Sequence, residues 1–137
     1  MSEKKEQLHT QACKARNHAY SPYSHHKIGA AVLLDNGYVY SGCNVENASY
    51  GGTICAERVA VVKAVSETQA PVKIEEICVV SDARDPWPPC GFCRQVIAEF
   101  AHPDVKVHVG NLEGIKKTYK LKELLPDAFG PAFLKKY

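Results

Sequence analysis

Two short segments constrain this chain more than anything else in it. TICAERVAVV (53–62) puts a cysteine and a glutamate at the head of an apolar, helix-like run, and WPPCGFCRQV (87–96) puts two cysteines three apart behind a pair of prolines. At spacing i, i+3 on a helix start, the sulfurs of Cys90 and Cys93 lie on one side of a turn. The positive end of a helix favours thiolate, the form that binds metal. Cys55 heads the other helix and has the same advantage. Two helix N-termini that converge would present three thiolates to one ion, and zinc suits such a site because it is tetrahedral, sulfur-tolerant and redox-silent.

The rest of the pattern says what kind of fold must bring those ends together. Leu8, Ala12, Ala15 and Ala19 form one helical stripe within 3–20, which Pro22 of SPYS stops. KIGAAVLLDNGYVYSGCNV (27–45) reads as a hairpin about the two-residue turn Asn36-Gly37. NVENASYGG is loop-like, and a helix is expected over 53–66 with Thr53 as N-cap. IEEICVVSD is a strand, DARDPWPP a loop and CGFCRQVIAEFA a second buried helix. VKVHVGN is a further strand, GIKKTYKL an edge strand, and KELLPDAF a short helix or turn. This interleaving implies an α/β fold: a three-layer α-β-α sandwich with a mixed five-stranded sheet, its first two strands antiparallel. The 137 residues, 45% hydrophobic and 23% charged, suffice for one domain over 1–137 with its own core, and argue against disorder.

Several function classes are already disfavoured. A formal net charge of +2 supplies no basic field for a nucleic-acid polymer. Apolar runs fall far short of the roughly 20 residues of a membrane span. MSEKKEQLHT lacks the apolar core of a signal peptide, so a cytoplasmic protein is expected. Thiols stay reduced there, and six cysteines point to metal, reactivity or packing rather than disulfides.

Three ligands, not four, is the important count. A structural zinc site is usually closed by four protein ligands, whereas a catalytic one keeps a position open. Cys13, Cys43 and Cys78 are expected as small buried hydrophobes, and His108 is a weaker candidate for a fourth ligand. Glu57 gives the open position a use, as a carboxylate that moves protons without coordinating the metal. Residues i and i+2 diverge by roughly 200° on an ideal helix, so Cys55 must sit at the frayed edge of the first turn. Arg58 or Arg94 is placed to offset the net negative charge of three thiolates and one Zn²⁺. Arg94 is equally open to reading as a surface ion pair.

Zinc deaminases carry an H-x-E…P-C-x-x-C pattern with a three-cysteine variant, and here it stands as Cys55-Ala56-Glu57 and Pro89-Cys90-Gly91-Phe92-Cys93. CNVENASY, CAER, PCGFCRQ and ELLPDAFGP resemble blocks of the small cytidine deaminases of free-nucleoside metabolism, over nearly the whole chain. The resemblance implies one zinc per subunit on Cys55, Cys90 and Cys93. It implies hydrolysis of cytidine and 2′-deoxycytidine at C4, in pyrimidine salvage, with Glu57 protonating N3 and then the departing amine. It also implies Arg58 bonded to the cysteine sulfurs, Asn44 and Glu46 on the ribose, and backbone near Ala56 reading the base. Ala48, Tyr50, His26 and Phe129 complete the implied substrate-binding set. Tyr50 and Phe129 match positions that reach across subunits of a homotetramer with shared active sites.

One departure stands out. Members usually have a stacking Phe where SPYSHHKIGAA places His26. Imidazole offers less area and takes up a proton in the neutral range, so cytidine binding is expected to weaken as pH falls. Tyr23 is an alternative stacking ring, and a base with a larger N4 group an alternative substrate. Trp87 either rims the pocket or packs its loop. Competing readings are a deaminase of a cytosine-bearing antibiotic, against which NVENAS and CAER stand, and a polynucleotide editor, which needs a basic groove. A zinc-stabilised binding module needs a fourth ligand, and a thioredoxin-like redox role fits poorly with Pro88-Pro89 before Cys90.

Overall fold

The alternating apolar positions of GAAVLL explain the layering. In the computed structural model, which describes residues 2–135, this segment is β1 (Gly29–Leu34), buried on both faces. Ala30, Val32 and Leu34 point into one apolar core and Ala31 and Leu33 into another, as side chains two apart must. The second core is closed by Leu8 and Ala12 of α1 (Ser2–Arg16). The first is closed by Ala56, Ala60, Val61 and Ala64 of α2 (Ala56–Glu67) and by Ile97 of α3 (Gly91–Phe100). The sandwich expected from the sequence is therefore present, with α1 on one face and α2 and α3 on the other.

The sheet is mixed, in the order β2-β1-β3-β4-β5. β2 (Val39–Cys43) pairs antiparallel with β1, as does β3 (Ile74–Val80) on its other side. β3 runs parallel to β4 (Ala101–Asn111), the two being joined through α3. β5 (Gly114–Lys120) forms the far edge, antiparallel to β4. Two short helices follow, α4 (Leu121–Leu124) and α5 (Pro131–Leu134).

Several boundaries differ from the sequence reading. The first helix ends at Arg16, because Asn17, His18 and Ala19 donate to carbonyls three residues back and Tyr20 donates instead to Asn44. Ala19 therefore lies beyond the buried stripe. The hairpin loop has three residues: Leu34 and Tyr38 close it, Gly37 donates to Leu34, and only Gly37 takes a positive φ, of 90°. α3 is half-buried rather than buried, with Cys93 and Ile97 its fully inward residues. β4 begins at Ala101, earlier than VKVHVGN suggested.

Candidate active site

The two cysteine segments meet at the carboxyl end of the central strand β3, where Val79 and Ser81 line the same cavity as Cys55 and Cys90. α2 is brought there by close approach. Gly42 of β2 has no side chain, and a Cβ on it would lie 2.6 Å from the Ala60 nitrogen and 2.9 Å from the Ala56 oxygen. The segment before α2 is stitched in by Val45, which exchanges backbone hydrogen bonds with Ile54.

Cys55, not Thr53, is the N-cap of α2, with extended backbone (φ −70°, ψ 155°). That meets the requirement set by its i, i+2 spacing from Glu57, since Cys55 is not yet on the helix. Cys90 caps α3 in the same way (φ −68°, ψ 168°). The sulfurs of Cys55, Cys90 and Cys93 lie within 4.8 Å of one another, with Cys55 and Cys90 3.8 Å apart. Hydrogen bonding from the Cys93 thiol, helped by Arg58 and Cys90, pulls Cys55 down to about 5 despite its partial burial. Cys93, as donor to Cys55 and itself buried, is pushed the other way.

The donor set fits a zinc ion. Three sulfurs converge at metal-sharing distance, and a cation stands beside them. Arg58 donates to Cys55 Sγ at 3.5 Å and to the Thr53 carbonyl at 3.3 Å, and its guanidinium lies over the Phe92 ring, 4.1 Å from the centroid. Its Nε is buried without a hydrogen-bond partner. Arg58 thus occupies the position expected of a cation offsetting thiolate charge. Arg94 does neither thing proposed for it: Nε donates to the Pro89 carbonyl at 2.6 Å and Nη1 to the Leu124 carbonyl at 2.8 Å, tying the Pro-Cys turn to α4.

Glu57 lines the cavity and is 4% exposed. Burial, reinforced by the negative charge of Cys55, raises its carboxyl to about 7, with Arg58 opposing. An acid held there exchanges protons readily near neutral pH.

His26, Asn44, Glu46 and Ala56 also line this cavity of about 290 Å³. Asn44 accepts from the Ile28 N–H at 2.9 Å and donates to the His26 carbonyl at 2.8 Å. Glu46 accepts from the Tyr23 and Ser24 N–H groups at 3.0 and 3.1 Å and from the Ser24 hydroxyl. Those bonds, the hydroxyl's foremost, hold its carboxyl below the usual range. Both residues therefore shape the loop that carries His26 as well as facing the cavity.

Other expected residues are placed elsewhere. Tyr50 packs edge-on to Tyr23, 5.8 Å between centroids, in a neighbouring groove, so Tyr23 is not a stacking ring of this cavity. Phe129 stacks on Phe133 beside a separate groove, and exposed Ala48 lines neither. His108 is no ligand, being held between Glu76 (2.6 Å) and Thr118 (2.8 Å). Cys78 is buried, which pushes its thiol up to about 12, whereas Cys13 and Cys43 are only half-buried. Trp87 does rim the cavity. Sequence reasoning missed Ser24 and Ser81. The first stands in the sequence only as the end of the SPYS helix stop; the second directly follows a central strand, the place where α/β sheets collect ligands.

Comparison with known proteins converges on one group. The profile of the cytidine and deoxycytidylate deaminase zinc-binding region matches residues 2–109. A cytidine deaminase of Halalkalibacterium halodurans is 50% identical over 91% of this chain and 93% of its own. One from Mycobacterium tuberculosis is 42% identical over 90% and 87%. The crystal structure of cytidine deaminase from Burkholderia pseudomallei superposes with a TM-score of 0.85 at 44% identity, covering 90% of this chain and 98% of that one.

Proposed function

This chain belongs to the cytidine and deoxycytidylate deaminase family, and from that premise we propose that it hydrolyses cytidine and 2′-deoxycytidine to the corresponding uridines and ammonia. The observation that carries the reading is a cluster of three convergent sulfurs, those of Cys55 and Cys90 on the wall of a single small-molecule-sized cavity that one buried carboxyl also lines. Cys55, Cys90 and Cys93 are the residues to hold zinc. What a bound zinc supplies is acidification of water at neutral pH.

Glu57 does the proton work. As the water oxygen bonds to C4 of the pyrimidine, the Glu57 carboxylate takes a water proton and delivers it to N3. It then takes the proton of the new C4 hydroxyl and passes it to the exocyclic nitrogen, which leaves as ammonia when the C4–N bond breaks and the C4 carbonyl forms. Its raised proton affinity suits an acid that must both take and give near neutrality. The first N–H groups of α2 lack intrahelical acceptors, which supports a base-reading role for backbone near Ala56. Asn44 and Glu46 face the ribose, and His26 faces the base.

We further read residues 1–137 as one deaminase domain working as a homotetramer in the cytoplasm, in pyrimidine salvage. Six free cysteines suit that compartment, and no helix among the described residues is long and apolar enough to cross a membrane. Tyr50, Phe129 and Phe133 are 74%, 56% and 58% exposed, surface that further copies of the chain would cover, with Tyr50 and Phe129 completing neighbouring sites.

The test is the loss of cytidine ultraviolet absorbance, with Glu57→Gln beside the parent at equal zinc content. The parent should turn over, and the variant should be slower by about 10²–10⁴-fold. A fully zinc-loaded parent that leaves cytidine and 2′-deoxycytidine untouched would overturn the reading.

A further inference from the structure

His26 and Trp87 are the aromatic side chains among the residues lining the cysteine cavity. Their rings meet edge to face, with centroids 4.9 Å apart and planes at 69°. Two rings so arranged make a corner rather than a stack, and each keeps surface open: both residues are exposed, Trp87 at 45%. A flat heterocycle seated there lies on one ring and turns its edge to the other.

The corner is built rigidly. The His26 N–H donates to Ser24 Oγ at 3.1 Å, and its carbonyl accepts from Asn44. His25 just before it is held in the left-handed region, φ 63°, the turn that delivers His26 to the cavity. Trp87 sits between Pro86 and Pro88, which restrict its backbone. Arg16 ties the two loops to one another, donating from Nε to the Lys27 carbonyl at 3.1 Å and from Nη2 to the Asp82 carboxylate at 3.2 Å. Arg94 fixes the far end of the Trp87 segment through Pro89. Rings held in place before a ligand arrives lose little freedom on binding it.

We propose that Trp87 is a substrate-binding residue, its indole forming with the His26 imidazole a two-sided aromatic corner that receives the pyrimidine. The indole is the larger ring and supplies the greater part of the apolar face. This rests on the cytidine reading above, and its test separates the two.

Trp87 is the chain's sole tryptophan, so its emission reports on this corner alone. Zinc-loaded parent is titrated with uridine and, separately, with ribose. The expected result is a saturable emission change with uridine and none with ribose. Trp87→Val should raise the KM for cytidine about tenfold with kcat changed little, and Trp87→Phe should restore most of the loss. Unchanged emission at saturating uridine, or an unchanged KM in a folded Trp87→Val, would overturn the proposal. Should Trp87→Val fail to fold, the parent titration decides. Failure of the parent to turn over cytidine would overturn the reaction instead, while the uridine titration would still decide whether Trp87 meets the base.

Discussion

Three thiolates around one divalent cation would leave a net negative charge, and Arg58 is the cation that stands beside those sulfurs. Its bond to Cys55 and its seat over Phe92 fix a positive charge beside the sulfurs. Arg58→Ala should lower zinc affinity by about 10–100-fold, measured by competition with a chelating dye. Unchanged affinity would show that the sulfurs need no compensation. His26 supports a different prediction. Its imidazole lines the cavity against Trp87 and offers a flat base less apolar area than a phenyl ring would. His26→Phe should therefore lower the KM for cytidine; an equal KM for parent and variant would refute the role. Both residues were legible in the sequence as types at positions. Arg94 was not, because nothing local shows that its guanidinium turns to Pro89 and Leu124.

The element on which most depends is α2, which carries Cys55 at its cap and Glu57 and Arg58 in its first turn. Its small residues Ala56, Ala60 and Ala64 recur every fourth position and let the helix lie close against the sheet. Gly42 makes the approach possible from the other side. A methyl group there would strike backbone, which cannot rotate away. Gly42→Ala should therefore cost about 1–3 kcal/mol and displace α2, lowering bound zinc along with melting temperature. Parent values of both would show that the helix yields freely. The helix itself was readable from its apolar pattern, but its start was misplaced by two residues. Thr53 is the better cap by side-chain chemistry; the chain instead spends 53 and 54 on a loop and a bridge to Val45, and turns helical after Cys55.

Across the whole molecule, the two faces of the sheet serve different ends. The α2 and α3 face holds the three sulfurs and Glu57, and the α1 face buries two other titratable groups, Cys78 and His108. His108 alternates with Val107 and Val109, is 1% exposed, and faces Glu76, Thr118, Lys5 and Lys106. A neutral ring that donates from Nε2 to Glu76 and accepts at Nδ1 from the Thr118 hydroxyl satisfies every partner. Burial lowers its proton affinity below the ordinary value of 6.5, although Glu76 pulls the other way. In the interval below 6.5 the unfolded chain then binds more protons than the folded one. Stability should fall as pH drops through that interval and be fully present above it. Urea unfolding across it should show a shallower slope for His108→Gln, and an equal slope would exclude this residue as the cause.

The sequence by itself determined which chemistry was at hand: three cysteines and a glutamate at helix starts, a hairpin, and a strand between two helices. These follow from spacing and period, which are local properties. The tertiary structure decided which of those residues share a cavity. It brought Cys55 to within 3.8 Å of Cys90, 35 residues away, and withheld His108 by tying it to Glu76 and Thr118. It also set the rings of His26 and Trp87 against one another from loops 61 residues apart in sequence. Such distances are fixed by strand order and by how closely a helix can lie on a sheet, and no window of sequence contains either.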